Sequence, residues 1–284
     1  MTPRRLFAAT LSLLLIPALA MAGVKITETY GTGPKVFTLA TGSPGELGLL
    51  KLLGEAFAKK DGATLKWVKA GTGESLGLLK AKEVDMVMVH APAKVDQAVK
   101  EGWAAKKTLI GSNEFFIVGP ASDPAGVAKA KTAPDAYRDI AKAQAKFFSR
   151  GDNSGTHVKE MAVWKAAGIE PSGPWYIVTK DFMTATLKRA NDEGGYFMTD
   201  SSTWVAEKKS MPKLKVLFQG DKMLVNTYHA LVQPKGATPG AETATAFIDF
   251  VASREGQDII GSFGKAENGK SLYNDAAYAK KYDE

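Results

Sequence analysis

The stretch Val36-Phe37-Thr38-Leu39-Ala40-Thr41-Gly42-Ser43-Pro44-Gly45 is where the fold first becomes readable. Val36 to Ala40 reads as a strand, and the glycine, proline and hydroxyl residues after it read as the loop that ends it. Beyond the loop, Leu50, Leu53 and Phe57 recur at helical spacing. The same unit returns twice. Leu65-Lys66-Trp67-Val68 is a strand, Gly71-Thr72-Gly73 a loop, and Leu76, Leu79 and Ala81 mark a helix. Val87-Met88-Val89 then makes a third strand and ends in His90-Ala91-Pro92. Strand, loop and helix in repetition predict a parallel α/β sheet whose loops gather at the carboxyl ends of its strands.

A fresh start follows Phe115-Phe116-Ile117-Val118-Gly119-Pro120 and the Pro/Gly/Asp-containing stretch Ala121 to Lys131. Ala145 to Phe148 is a strand, Ser149 to Gly155 a loop, and a helix runs from Thr156 toward Ala167. Tyr176-Ile177-Val178 and Tyr196-Phe197-Met198 are further strands. Met223 to Val232 is again apolar and strand-like, and two helices close the chain. The economical reading is two α/β lobes. Residues 23–118 and 227–284 form lobe 1 and residues 119–226 form lobe 2, inserted through crossovers at Phe116–Gly119 and Tyr228–Val232.

Composition narrows the function. The chain has 284 residues, 45% hydrophobic and 24% charged, which excludes disorder, collagen-like repeats and a coiled coil. It has no cysteine and three histidines, His90, His157 and His229. Disulfides, thiolate nucleophiles and iron–sulfur clusters are therefore excluded. The net charge of +7 is spread over Lys-rich helix faces, which argues against nucleic acid as a partner. Residues 1–22 combine Arg4-Arg5, an apolar run and Ala20-Met21-Ala22, the pattern of a cleavable export signal. Its fit to the general secretory route is better than to the twin-arginine one. Cleavage removes two arginines and lowers the net charge to +5. With no cysteine at the cleavage point there is no lipid anchor, and no later segment is long and apolar enough to enter a membrane. The expected location is the periplasm.

The chemistry is expected in four loops: Thr41 to Gly45, Gly71 to Ser75, His90-Ala91-Pro92, and Ser149-Arg150-Gly151-Asp152-Asn153-Ser154-Gly155-Thr156. Each ends a strand, and three are expected to open directly into a helix. Unpartnered N–H groups and the positive dipole end at a helix start suit an anion. Ser and Thr add donors without charge. Arg150 is the only cation inside these loops, and its planar fork suits an oxyanion. The bland alternative is a set of turns with caps at Asp152, Ser154 and Thr156, and an Arg150 paired with Asp152 or Asp200.

Arg150-Gly151-Asp152-Asn153-Ser154-Gly155-Thr156 resembles the Arg-x-Asp-x-Ser-Gly-Thr loop of periplasmic oxyanion-binding proteins, phosphate binders included. Ala40-Thr41-Gly42-Ser43, Gly71-Thr72-Gly73, Val89-His90-Ala91-Pro92, Phe116 to Pro120, Ser149 to His157, Trp175-Tyr176 and Thr199-Asp200 together resemble the tungstate-binding component of bacterial ATP-driven importers. The resemblance implies a type II periplasmic binding fold, each lobe a mostly parallel sheet flanked by helices, with the ligand cleft between lobes. It implies that Thr41, Ser43, Thr72, Arg150 and Thr156 hold a tungstate or molybdate ion, with Ser154 and Gly155 as helix-terminus donors. His90 and Ala91 would complete the site. The implied protein is a monomer without cofactor or metal cation, is not an enzyme, and delivers its anion to an ABC-type permease and ATPase. Two departures stand out: the family's first loop is usually Thr-Thr-Thr-Ser, and an Arg usually follows the Thr-Asp pair where Ser201 stands here.

Phosphate keeps a proton near neutral pH and needs an acceptor, whereas tungstate and molybdate want donors only. In the phosphate binders an Asp precedes Ala-Pro; here His90 does. A neutral histidine also accepts, so phosphate stays open, as does sulfate, and His90 also reads as a structural residue at a strand end. Two rival functions remain. Ser154 and His157, oriented by Asp152 or Asp200, would make a hydrolase, although no Gly-x-Ser-x-Gly elbow is present. A binding protein that feeds a chemoreceptor has the same sequence features as one that feeds an importer.

Overall fold

The computed structural model describes residues 24–269 and 271–283; the expected export signal lies outside them. Among these residues the first half of the chain builds β1 (Glu28–Tyr30), β2 (Lys35–Thr41), α1 (Ser43–Glu46), α2 (Leu49–Asp61), β3 (Ala63–Lys69), α3 (Thr72–Lys80), β4 (Met86–Val89) and α4 (Pro92–Lys100). Strand β5 (Ala105–Pro120) follows, then α5 (Ala133–Ala143), β6 (Phe147–Ser149), α6 (Gly155–Ala167), β7 (Tyr176–Val178), α7 (Met183–Glu193), β8 (Tyr196–Asp200), α8 (Ser201–Glu207) and β9 (Leu214–Phe218). The chain returns through β10 (Val225–Val232) to α9 (Ala241–Ala252), α10 (Arg254–Ser262), α11 (Lys265–Asn268) and α12 (Ala276–Ala279).

The spatial order of the strands is β1-β3-β2-β4-β10-β5-β8-β6-β7, with β9 also on β5. Strands β2, β3 and β4 are parallel, as are β6, β7 and β8. The remaining pairings, through β1, β5, β9 and β10, are antiparallel. Each sheet is therefore parallel at its centre and mixed overall, because one strand that leaves a lobe and one that returns to it must run in opposite directions.

Strand β5 carries both sheets. It pairs with β10 as far as Glu114 and with β8 from Phe115 onward. Its first ten residues, Ala105 to Glu114, escape the sequence reading because they include Lys106, Lys107, Asn113 and Glu114. The return crossing also lies earlier than expected. All of β10 lies in the first sheet, Val225 to Thr227 against β5 and His229 to Val232 against β4, so the return crossing comes before Val225. The apolar run there reflects burial between β4 and β5, not the crossing itself.

Each half has its own core. Leu49, Leu50, Leu53 and Phe57 share one face of α2 and pack with Phe37 and Phe247, the Phe37 and Phe57 rings meeting edge-on at 6.0 Å. Phe147, Trp164, Leu187 and Phe197 centre the other. These two packed bodies, lobe 1 and lobe 2 below, meet along β5 and β10. No described helix is long and apolar enough to cross a membrane.

Candidate functional site

All four loops singled out by sequence open directly into helices, one more than expected. Ser43, Thr72, Pro92 and Gly155 are the first residues of α1, α3, α4 and α6. Thr41, Ser43, Thr72 and His90 from lobe 1 face Arg150 and Ser154 from lobe 2 around one small cavity. Its volume is about 10 Å³, room for about one water, so a ligand enters only when the lobes part. Ala91, Gly155 and Thr156 lie next to these wall residues in the chain but outside the wall itself.

The side of the cleft opposite Arg150 is neutral. Thr41 Oγ1 donates to the Met88 carbonyl at 2.8 Å, so its hydrogen is committed and Thr41 is not a donor to the cavity in this arrangement. Ser43 Oγ donates to Asp200 over a long 3.5 Å. Thr72 Oγ1 accepts from the His90 backbone N–H at 3.4 Å, which leaves its own hydrogen for a ligand. Glu46 also lines the cavity, but its carboxylate is held 2.6 Å from Lys69 Nζ.

Lobe 2 brings the charge. The Arg150 side chain is only 5% exposed, with Nη2 2.6 Å from Asp152 Oδ2 and Nε donating to the Asp181 carbonyl at 3.2 Å. The Phe182 ring lies 5.5 Å from the guanidinium carbon. Burial pushes the Asp152 carboxyl up, but the charge of Arg150 and the hydrogen bonds from Ser154 outweigh it and hold it below the usual carboxylate range. Ser154 caps α6, its Oγ accepting from the His157 N–H at 3.3 Å, so the hydroxyl hydrogen remains. Thr156 Oγ1 is buried with no hydrogen-bond partner, an uncommon and costly condition.

The lobes touch closely. A Cβ on Gly73 would lie 2.6 Å from the Asn153 carbonyl oxygen of the opposite loop, and one on Gly155 would lie 2.4 Å from His90 Cε1. Both positions require glycine for the cleft to close this far. Sequence reasoning missed Phe182 and Tyr228, which also line the cavity. Phe182 had a signal: an apolar residue between Asp181 and a helix start, after a strand, in the pattern that marked the other loops. Among the described residues, no cluster of His, Asp and Glu is placed to hold a metal cation.

Two α/β lobes joined by crossing strands, with helix starts and one buried cation facing a closed cleft, define a bilobal solute-binding protein. The chain matches the PBP superfamily domain over residues 28–255 and belongs to that superfamily. It is similar to the tungstate-binding protein TupA of Peptoclostridium acidaminophilum, 34% identical over 254 residues that cover 88% of each chain. Among solved structures it resembles the tungstate ABC transporter protein from Geobacter sulfurreducens, 37% identical with a TM-score of 0.74, covering 82% of this chain and 100% of the other. It also resembles the tungstate-binding protein TupA from Desulfovibrio alaskensis G20, 39% identical with a TM-score of 0.69, covering 84% and 98%.

Proposed function

We propose that the protein captures a tetrahedral oxyanion, tungstate first and molybdate alongside it, and delivers it to an ABC-type permease and its ATPase. The observation that carries this reading is the buried Arg150 fork set against hydroxyls of the opposite lobe. Thr72, Ser154 and Thr156 each keep a hydroxyl hydrogen to give. The carboxylates around the cleft are answered: Glu46 by Lys69, Asp152 by Arg150, and Asp200 by Asn113 and Thr203. A bare dianion finds donors there, and the proteins named above supply the identity of the ion. Ser43 joins them once its long bond to Asp200 gives way, and Ala91 and Gly155 act through the backbone at the starts of α4 and α6.

In this reading the anion docks on one lobe and closure brings Arg150 and the α6 terminus onto it, stripping water and strengthening each contact. The lobes are those drawn from the sequence, 23–118 with 227–284 and 119–226, and the mature protein works in the periplasm. Solute capture is favoured over hydrolysis because Ser154 Oγ bonds the His157 backbone, while His157 Nδ1 accepts from the Asn153 N–H at 3.0 Å. Ser154 Oγ meets the backbone of His157 and not its ring, and the ring nitrogen Nδ1 serves Asn153, so no nucleophile–base pair is assembled between them. A ligand that binds only the native state raises its melting temperature. Thermal titration with tungstate, molybdate, sulfate and phosphate should give large rises for the first two; a rise with phosphate alone would overturn the assignment.

A further inference from the structure

Three buried polar side chains and the half-buried His90, from four different segments, form one hydrogen-bonded chain across the hinge. Asp200, at the end of β8, accepts from Asn113 Nδ2 at 3.2 Å. Asn113 Oδ1 accepts from Asn226 Nδ2 at 2.7 Å, and the two asparagines are register partners on β5 and β10. Asn226 Oδ1 then lies 2.9 Å from His90 Nδ1. Asp200, Asn113 and Asn226 are each 1% exposed.

The chain runs in one direction, each amide giving its hydrogen toward Asp200. Asn113 turns its amide nitrogen to Asp200, where an acceptor stands, and its oxygen to Asn226. Asn226 must then turn its oxygen to His90, and His90 Nδ1 must carry a hydrogen. The only ring nitrogen left to take up a proton is Nε2. The ring cannot swing away, because it stacks on Tyr228 at 4.9 Å and presses on Gly155 from the other lobe. Burial pushes its pKa down to about 4, against the Asn226 bond and the Asp200 charge, which raise it.

We propose that the site binds its dianion together with one proton, held on Nε2 of His90. This rests on the oxyanion reading above and goes beyond it: Asn113 and Asn226 become positioning residues, and His90 becomes the residue that matches ligand charge to site charge. The groups facing His90 set the balance. Arg150 and Lys159, both on the lobe 2 side, disfavour a second positive charge, while Asp200 favours it. Lys222 and Lys281 share with His90 the wall of a second cavity of about 500 Å³ behind it, and Glu46 and Tyr228 stand in the cleft wall. A dianion arriving beside the ring within about 4–6 Å tips the balance toward the imidazolium. The sign follows: a group whose pKa is higher in the complex takes up a proton on binding, so affinity falls as pH rises through that higher value.

The test is calorimetry with sodium tungstate and sodium molybdate, between about pH 6 and pH 8.5, in pairs of buffers with different heats of ionisation. The expected result is uptake approaching one proton per anion at the acid end, with affinity falling by up to about tenfold per pH unit. His90→Gln should still bind, more weakly, with uptake and pH dependence gone. Imidazole nitrogen NMR should show His90 as the neutral Nδ1–H form before tungstate and as the imidazolium after it. Asp200→Asn with Asn226→Asp moves the carboxylate next to the ring and reverses the chain; His90 should then be charged before any anion is added. Tight binding without proton uptake, or equal uptake in His90→Gln, overturns the proposal and leaves the oxyanion reading intact. No binding of either anion at any pH overturns both.

Discussion

Lobe 1 brings Thr41, Ser43, Thr72 and His90 to the cleft, and none carries a fixed charge. Lobe 2 brings Phe182 and one donor loop, and that loop holds Arg150, Ser154 and the unpartnered Thr156 within seven residues. The division of charge lets the cleft be stable and still select an anion. A buried cation facing only hydroxyls would cost several kcal/mol, and Asp152 offsets this at 2.6 Å. An arriving oxyanion therefore competes with Asp152 for the guanidinium, and the neutral lobe decides whether its remaining oxygens find donors.

Removing the charged side should have the largest effect. Arg150→Ala is expected to weaken tungstate binding by about 100- to 1000-fold by calorimetry, since hydrogen bonds to charged groups are worth about 1.5–3 kcal/mol each. A loss below tenfold would mean that lobe 2 contributes shape and not charge. The meeting of the lobes comes next. Gly73→Ala should cost at least about tenfold in affinity through the clash with the Asn153 carbonyl. The melting temperature without anion should hold or rise, because alanine is about 1 kcal/mol better than glycine in a helix. Parallel losses in both measurements would show that the contact serves stability and not closure.

Thr156→Val separates binding from folding in the same loop. Removing a buried hydroxyl that has no partner should leave stability unchanged or improved. Affinity should fall about tenfold, and unchanged affinity would take Thr156 out of the site. The smallest effect concerns Glu160, beneath the lobe 2 loop. Burial pushes its carboxyl up to about 7, against bonds from Tyr176, Ser149 and Trp164. A carboxyl raised on folding stabilises most below its ordinary value, and that contribution is lost as pH rises toward 7. The melting temperature should therefore decline by several degrees from pH 4.5 to pH 7.5, and Glu160→Gln should flatten the decline. An equally steep decline in the variant would assign it elsewhere.

The helix-start loops were legible because their chemistry is local. Glycine, proline and hydroxyl residues between a β-forming run and a helical period announce a strand end and a helix start wherever they occur. Asn113 and Asn226 were not legible, because a polar residue in a strand looks the same whether it faces solvent or a second asparagine 113 positions away in the chain. Thr41 was legible as a loop hydroxyl but not as one already bonded to Met88, since that bond depends on the register of β2 against β4.

Local sequence alone determined the alternation of strands and helices, the donor-rich loops and the single cation among them, because each follows from neighbours a few residues apart. Tertiary structure alone decided which donors remain free, which carboxylates meet a partner and which side chain faces the imidazole of His90. Those outcomes depend on contacts such as the one between Ser43 and Asp200, 157 positions apart, and a hydrogen bond has no address until the chain has folded.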